Sequence, residues 1–410
     1  MKTTDHFRRW ISGMNEQGVG SIFTLALLLT SIVLANRPMQ AQIYDVLHSF
    51  TGTPDGCKPQ GDLWRDGAGN LYGTTANCGS SNGAVFKISA AGHETILYRF
   101  TGKTDGGFPE AGLIRDKAGN LYGTTYSGGA SGDGVVFELS KGKETVLHSF
   151  SGSDGVHPTA SLVRDAAGNF YGTTFYGGTA SCSCGTVFKI DTAGVETVLY
   201  SFTGGTDGKF PAGRLLLDSV GNLYGTASEG GIIKCGRFGM YGCGVVFKLD
   251  SAGHQTVLYS FNGLGDGGQP LAGLIRDSAG NFYGTTFSAG NLSRNCALNN
   301  GCGVVFKLSK TGQEMVLYTF TNGTDGANPT ADLVRDSGGN LYGTTKLGGA
   351  GYGVVFEIQG ASESSLYVFQ GTNDGAGPLA GLLRDSSGNL YGTTSFGGSA
   401  TEGVVFKLTP

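Results

Sequence analysis

Charge is scarce in this chain, and neither sign dominates. Only 15% of its 410 residues are charged, and the formal net charge is −4. Such a balance lacks the basic footprint of a nucleic-acid-binding protein. Beyond residue 41 no apolar stretch is long enough to cross a bilayer. No C-x-x-C pair with a neighbouring histidine offers a tetrahedral zinc set. No Ser-His-Asp, His-Glu or clustered-histidine pattern stands out either. Glycine, by contrast, is abundant, at 74 residues. Glycine is costly inside helices, so this composition suits short strands joined by tight turns.

Residues 1–41 stand apart from the rest. Arg8 and Arg9 lie in a polar leader, and an apolar run follows from Gly18 to Ala35. The pattern is that of a secretory signal, with cleavage after Ala35 or Ala41; an uncleaved anchor is the alternative. The leader holds Lys2, Arg8, Arg9 and Arg37 against Asp5 and Glu16, so removing its +2 leaves −6 from the total of −4. The expected location is the periplasm, the cell surface or the medium.

The remainder, residues 42–410, is a repeat and reads as one domain. In residues 272–320 four short apolar runs occur: Leu274–Asp277, Asn281–Thr286, Gly303–Leu308 and Met315–Phe320. Each is rich in β-branched and aromatic residues and bounded by turn residues, which predicts four antiparallel strands, a to d, the size of a propeller blade. The strand-b tyrosine recurs at Tyr72, Tyr122, Tyr171, Tyr224, Tyr283, Tyr342 and Tyr391, which counts seven units. The chain opens on a lone strand d, residues 43–50, and ends after a strand c, residues 403–408. The surplus matches the deficit. The predicted fold is therefore an all-β, seven-bladed β-propeller whose last blade is closed by the N-terminal strand, leaving no unpaired edge.

The run G-N-L-Y-G-T-T, followed by G-G, G-V-V-F-K-L and L-Y-S-F-T-G, resembles the tandem GloVer repeat of "choice-of-anchor" bacterial surface proteins. The resemblance covers residues 43–410, and the strand pattern is also similar to NHL-type repeats. It implies an exported, surface-associated propeller and supplies no catalytic residues. No C-terminal anchor follows the repeats, so attachment is expected through the N-terminal segment or a partner.

In such a blade the b–c and d–a connections share one face. The b–c loops hold 7, 8, 10, 16, 16, 7 and 8 residues in blades 1 to 7, so blades 3–5 should raise a lip there. Function is placed on that face. Lys234, Arg237, Arg294 and Asn295 are its candidate partner-binding residues. All eight cysteines lie on the same face, and export favours disulfides. Cys235–Cys243 and Cys296–Cys302 are expected within loops, and Cys57–Cys78 between loops. The pairing of Cys182 and Cys184 stays open.

Each d–a loop carries an Asp-Gly step, at Asp55, Asp105, Asp154, Asp207, Asp266, Asp325 and Asp374. No loop concentrates the six to eight oxygens calcium needs, so these aspartates are expected to cap turns; calcium is the alternative, and no other cofactor or metal is expected. Six strand-a runs contain Arg-Asp, at Arg65, Arg115, Arg164, Arg276, Arg335 and Arg384, with Leu217 as the exception. An Arg–Asp network stitching neighbouring blades is expected. His48 and His148 occupy the slot that tyrosine fills in other strand-d runs, which suggests packing. The functional expectation is a monomeric, non-catalytic scaffold binding an extracellular protein or glycan through blades 3–5. A secreted hydrolase or lyase working at the channel mouth is the alternative.

Overall fold

The computed structural model describes residues 42–77, 82–179, 181–232, 235 and 242–409. Tyr44–Thr409 forms one compact unit. It contains seven antiparallel sheets in which strands a to d lie side by side in chain order. In blade 5 these are Ile275–Arg276, Phe282–Thr286, Val304–Leu308 and Glu314–Thr319. Strand a is thus shorter than its apolar run suggests. Blade 4 adds Lys209–Pro211, which pairs with Leu223–Glu229.

Blade 7 joins the two ends of the chain. Its order is Ile43–Ser49, Val404–Thr409, Leu390–Thr394, Leu383–Arg384. The Phe50 amide donates to the Gly403 carbonyl at 3.0 Å, just as Phe100 does to Gly83 inside the chain. The closing blade therefore repeats the hydrogen bonding of the others.

The repeated phenylalanines explain how the blades grip each other. Each strand-d Phe meets the strand-c Phe of the next blade edge to face: Phe50 on Phe86, Phe100 on Phe137, and so on to Phe369 on Phe406. Ring centroids lie 5.2, 5.1 and 5.4 Å apart in these three pairs, a favoured aromatic geometry. The strand-c ring also lies over the glycine of strand b. A Cβ added to Gly73 would stand 2.6 Å from the Phe86 ring, so glycine is required there for close approach. Buried threonines of strand b reach the next blade: Thr74 donates to the Ala111 carbonyl at 2.9 Å and Thr226 to Ala272 at 2.7 Å. Satisfying these hydroxyls removes the penalty of burying them.

The Arg-Asp pairs work differently from the expected network. Among the described residues no ion pair joins these arginines to the aspartates. Each arginine lies instead over the strand-b tyrosine of the preceding blade, as Arg276 over Tyr224 at 5.5 Å and Arg384 over Tyr342 at 5.6 Å. That tyrosine donates its hydroxyl to its own blade's aspartate, Tyr224 to Asp218 at 3.2 Å. The stitch is therefore arginine, ring, hydroxyl, carboxylate. Adjacent residues leaving a strand point to opposite sides, which keeps an arginine from pairing with the aspartate that follows it.

Candidate functional site

Every d–a loop ends in an X-Pro step, and X is Lys58, Phe108, His157, Phe210, Gln269, Asn328 and Gly377 in blades 1 to 7. The six residues other than glycine all hold positive φ, at 53°, 57°, 57°, 59°, 54° and 57° in that order. A side chain in this region costs about 1–3 kcal/mol, and a following proline narrows the choice further. The backbone that imposes it is the same in each blade. The X amide donates to the preceding blade's b–c loop, at 2.8 Å from Phe108 to Asn82, from His157 to Asp133 and from Gln269 to Cys243. The X carbonyl accepts from the residue after strand b, from Tyr126 to Phe108 at 2.9 Å and from Phe175 to His157 at 3.0 Å. A uniform backbone thus presents half-buried side chains that differ in size, charge and polarity in blades 1 to 5, while Asn328 is buried and bonds to the Phe287 and Gly301 carbonyls.

The cysteines buttress this ring in blades 3–5. Disulfides join Cys182 to Cys184, Cys235 to Cys243 and Cys296 to Cys302. The second cysteine of each pair supplies the carbonyl that holds the next X residue, Phe210, Gln269 and Asn328 respectively. Cys57 is also disulfide-bonded, while Cys78 lies outside the described residues.

Of the four candidate partner-binding residues, Lys234 and Arg237 lie outside the described residues. Arg294 and Asn295 are exposed at the start of a 3-10 helix, Arg294–Asn299, within the stapled blade 5 loop. Asn322 donates to the Asn295 carbonyl at 2.8 Å and ties this loop to the following d–a loop.

Beside the staples runs an aromatic ladder that the repeat count alone does not reveal. His157 stacks on Tyr126 with centroids 3.9 Å apart, and its Nδ1 donates to the Tyr126 carbonyl at 2.7 Å. Phe175 stacks on Phe210 at 5.0 Å, and Tyr176 meets both Phe210 and His157 edge-on. Tyr176 is 37% exposed; Tyr352 and Phe396, in the b–c loops of blades 6 and 7, are 44% and 49% exposed.

At the axis, the residue before each strand-a leucine breaks the symmetry: Asp62, Gly112, Ser161, Arg214, Gly273, Asp332 and Gly381. Arg214 Nε donates to Asp332 at 3.2 Å. Asp62 accepts from the Gly381 amide at 2.7 Å, Asp332 from Gly273 at 2.6 Å, and Ser161 from Gly112 at 2.9 Å. Burial first, and then the neighbouring Asp332 charge, push the Asp62 carboxyl above its usual range. The Arg214 guanidinium is held charged mainly by Asp332. These groups line a polar cavity of ≈ 100 Å³ at the channel mouth, together with Gln60, Glu110 and Thr159. Reading the strand-a position across the seven repeats would have disclosed this set.

The d–a aspartates cap turns. Asp105 accepts from the Thr101 amide at 2.8 Å and the Tyr98 hydroxyl at 3.0 Å. Where histidine replaces that tyrosine the arrangement changes: His148, Asp154 and Glu196 bring one ligand atom each within 4.8 Å of one another. Sequence reading, which gave His148 a packing role, did not connect it to Glu196 in the next blade.

A seven-bladed β-propeller with a varied loop face is the class these features define. The chain belongs to the Gloeobacter/Verrucomicrobia repeat family, whose pattern matches residues 11–239 and 235–410. No curated protein sequence matches it. Among solved structures, the extracellular domain of a protein described as a one component system from B. thetaiotaomicron is similar at 14% identity, with a TM-score of 0.52. That likeness covers 90% of this chain and 41% of the other. A gluconolactonase from Xanthomonas campestris is similar at 13% identity and TM-score 0.45, covering 79% and 92%. A chain of the nidogen/laminin complex matches at 13% and 0.43, covering 72% and 91%. These likenesses concern the fold alone.

Proposed function

We propose that this protein is an exported, non-catalytic propeller that binds a glycan on its loop face. The observation that carries this reading is the ring of residues before proline. Glycine or asparagine would relieve the positive φ at no loss to the turn. Asn328 and Gly377 do so in blades 6 and 7, whereas lysine, phenylalanine, histidine and glutamine stand there in blades 1 to 5, which is understandable if their side chains are the working part. A uniform scaffold with varied side chains is how recognition surfaces are built. Flat aromatic rings beside a polar mouth suit a sugar, which offers apolar ring faces and hydroxyls together. The disulfides hold the blade 3–5 loops in place before binding, which lowers the entropy lost on association. Export fits the leader and the disulfides.

The axial carboxylates suggest a hydrolase as the second reading, with Asp62 as an acid. Their contacts favour a structural part: one oxygen of Asp62 and one of Asp332 are taken by amides of other blades, and Asp332 also holds Arg214. A glycan array probed with the wild type and with Tyr176→Ala/Phe210→Ala tests the proposal. Wild-type binding lost in the folded variant supports it. Binding to proteins alone, or hydrolysis abolished by Asp62→Asn, would replace it.

A further inference from the structure

At the outer rim, each blade interface can bring together the residue two before the strand-d Phe of one blade, the aspartate of its d–a loop, and a residue at the start of the next strand d. At three of the seven interfaces these are tyrosine, aspartate and glutamate, as in Tyr98, Asp105 and Glu144. The tyrosine hydroxyl donates to the aspartate, and the glutamate faces the same carboxylate with Oε1 buried and without a hydrogen-bond partner. Such a carboxylate pair attracts a positive charge.

Between blades 2 and 3 the tyrosine is replaced by His148. Its Nε2 lies 3.0 Å from Asp154 Oδ2, and Glu196 Oε1 is buried with no hydrogen-bond partner. Imidazole can give a lone pair to a metal, which a neutral phenol does poorly. The second interface carrying histidine is different. His48 stands 3.3 Å from Asp55, but the Arg99 charge acts on Glu94 there, and the residue equivalent to Arg99 is Ser201 beside Glu196.

We propose that His148, Asp154 and Glu196 form a site for one divalent transition-metal cation, zinc by preference, which clips blade 2 to blade 3. One nitrogen and two carboxylate oxygens are a suitable set for such an ion. Around zinc, ligand atoms stand about 3.3–3.6 Å apart, which side-chain rotation can reach from a group already within 4.8 Å. Nε2 binds through its lone pair with the ring proton on Nδ1, and the ion displaces to solvent the proton held between the carboxylates, so binding releases protons. Ser151 already fixes the carboxylate, donating its amide to Asp154 Oδ1 at 2.8 Å.

Isothermal titration of the purified full chain with Zn²⁺, in two buffers of different ionisation enthalpy, tests this. The expected result is one equivalent bound with proton release, and a rise in melting temperature over the EDTA-treated protein. His148→Tyr restores the tyrosine that five of the other six interfaces carry. It should melt like the wild type in EDTA and lose both the equivalent and the rise. His48→Tyr should keep them. Glu196→Gln, isosteric and uncharged, decides the matter if His148→Tyr fails to fold. Undiminished zinc binding by whichever of these two variants folds, or no saturable binding by the wild type, overturns the proposal.

Discussion

The Tyr44 ring lies flat on Tyr367, with centroids 3.9 Å apart and planes 9° from parallel. Tyr44 belongs to the first strand of the ring and Tyr367 to the outer strand of blade 6, so the stack crosses the seam where the chain closes on itself. Most other interfaces place glutamate where Tyr44 stands. The Tyr44 hydroxyl donates to the Asp374 carbonyl, and its pKa rises above the usual range through burial, then Tyr367 and Asp374.

Closure should accordingly be essential to stability. Deleting residues 42–50 removes the outer strand of blade 7 and the Phe50–Phe86 contact, and should abolish the cooperative melting transition seen by calorimetry. Tyr44→Ala should cost about 2 kcal/mol, from lost apolar area and the aromatic stack. An unchanged transition in the deletion would mean that the seam carries no load.

Blade 4 is the one blade whose strand a ends in leucine rather than arginine. Leu217 leaves Tyr171 of blade 3 uncovered beside a cavity of ≈ 410 Å³ lined by Arg164, Asp165, Tyr171 and Asp218. Leu217→Arg should restore the stack and raise stability by about 0.5–1 kcal/mol, measured by urea denaturation. Loss of stability would show that the cavity has another use.

Stability should fall as pH rises from mildly acidic to neutral. Burial, then the facing aspartates Asp105 and Asp266, raise Glu144 and Glu314 from the ordinary 4.5 to about 7. A raised carboxyl contributes stability fully present below 4.5 and lost as pH climbs through about 7. The turn aspartates act in the opposite sense. Burial alone would raise Asp277, but hydrogen bonds from Asn281 and Tyr283 outweigh it and hold the group at about 2, so its contribution is lost as pH falls toward that value. The melting temperature, followed in EDTA, should peak near pH 4–5. Glu144→Gln/Glu314→Gln should flatten the decline between pH 5 and 8; an unaltered slope would refute the assignment.

The staples should matter more for binding than for folding. Cys235→Ser/Cys243→Ser opens a loop whose two cysteines are 8 residues apart, and should cost about 2 kcal/mol. The fold should survive, because the Phe pairs and strands lie elsewhere, yet glycan binding should weaken as Gln269 loses its fixed Cys243 carbonyl. Equal affinity in the reduced and oxidised protein would detach the staples from function.

The architecture was largely legible in the sequence, since strand runs, turn residues and the split seventh unit are local or countable. The site was less so. Asp62, Arg214 and Asp332 meet only because the ring brings blades 1, 4 and 6 to one axis, and no local pattern marks that. Positive φ at Phe108 or Gln269 runs against the preference of those residues, so propensity points away from it. Glu196 joins His148 across a blade boundary. The Arg–Asp network expected between blades is replaced by arginine on tyrosine, as with Arg276 over Tyr224, because sequence shows which charges recur and not which ring faces them across a blade boundary.

The central claim is that the ring before proline is kept for its side chains and not for its turns. Its most direct test is the variant His157→Asn/Phe210→Asn, with folding and glycan binding measured on the same preparation. Asparagine tolerates positive φ, so relief of strain should largely offset the lost stacking and keep stability within about 1 kcal/mol of the wild type. The account predicts a folded propeller that no longer binds the glycan. A folded variant that binds with wild-type affinity would contradict it.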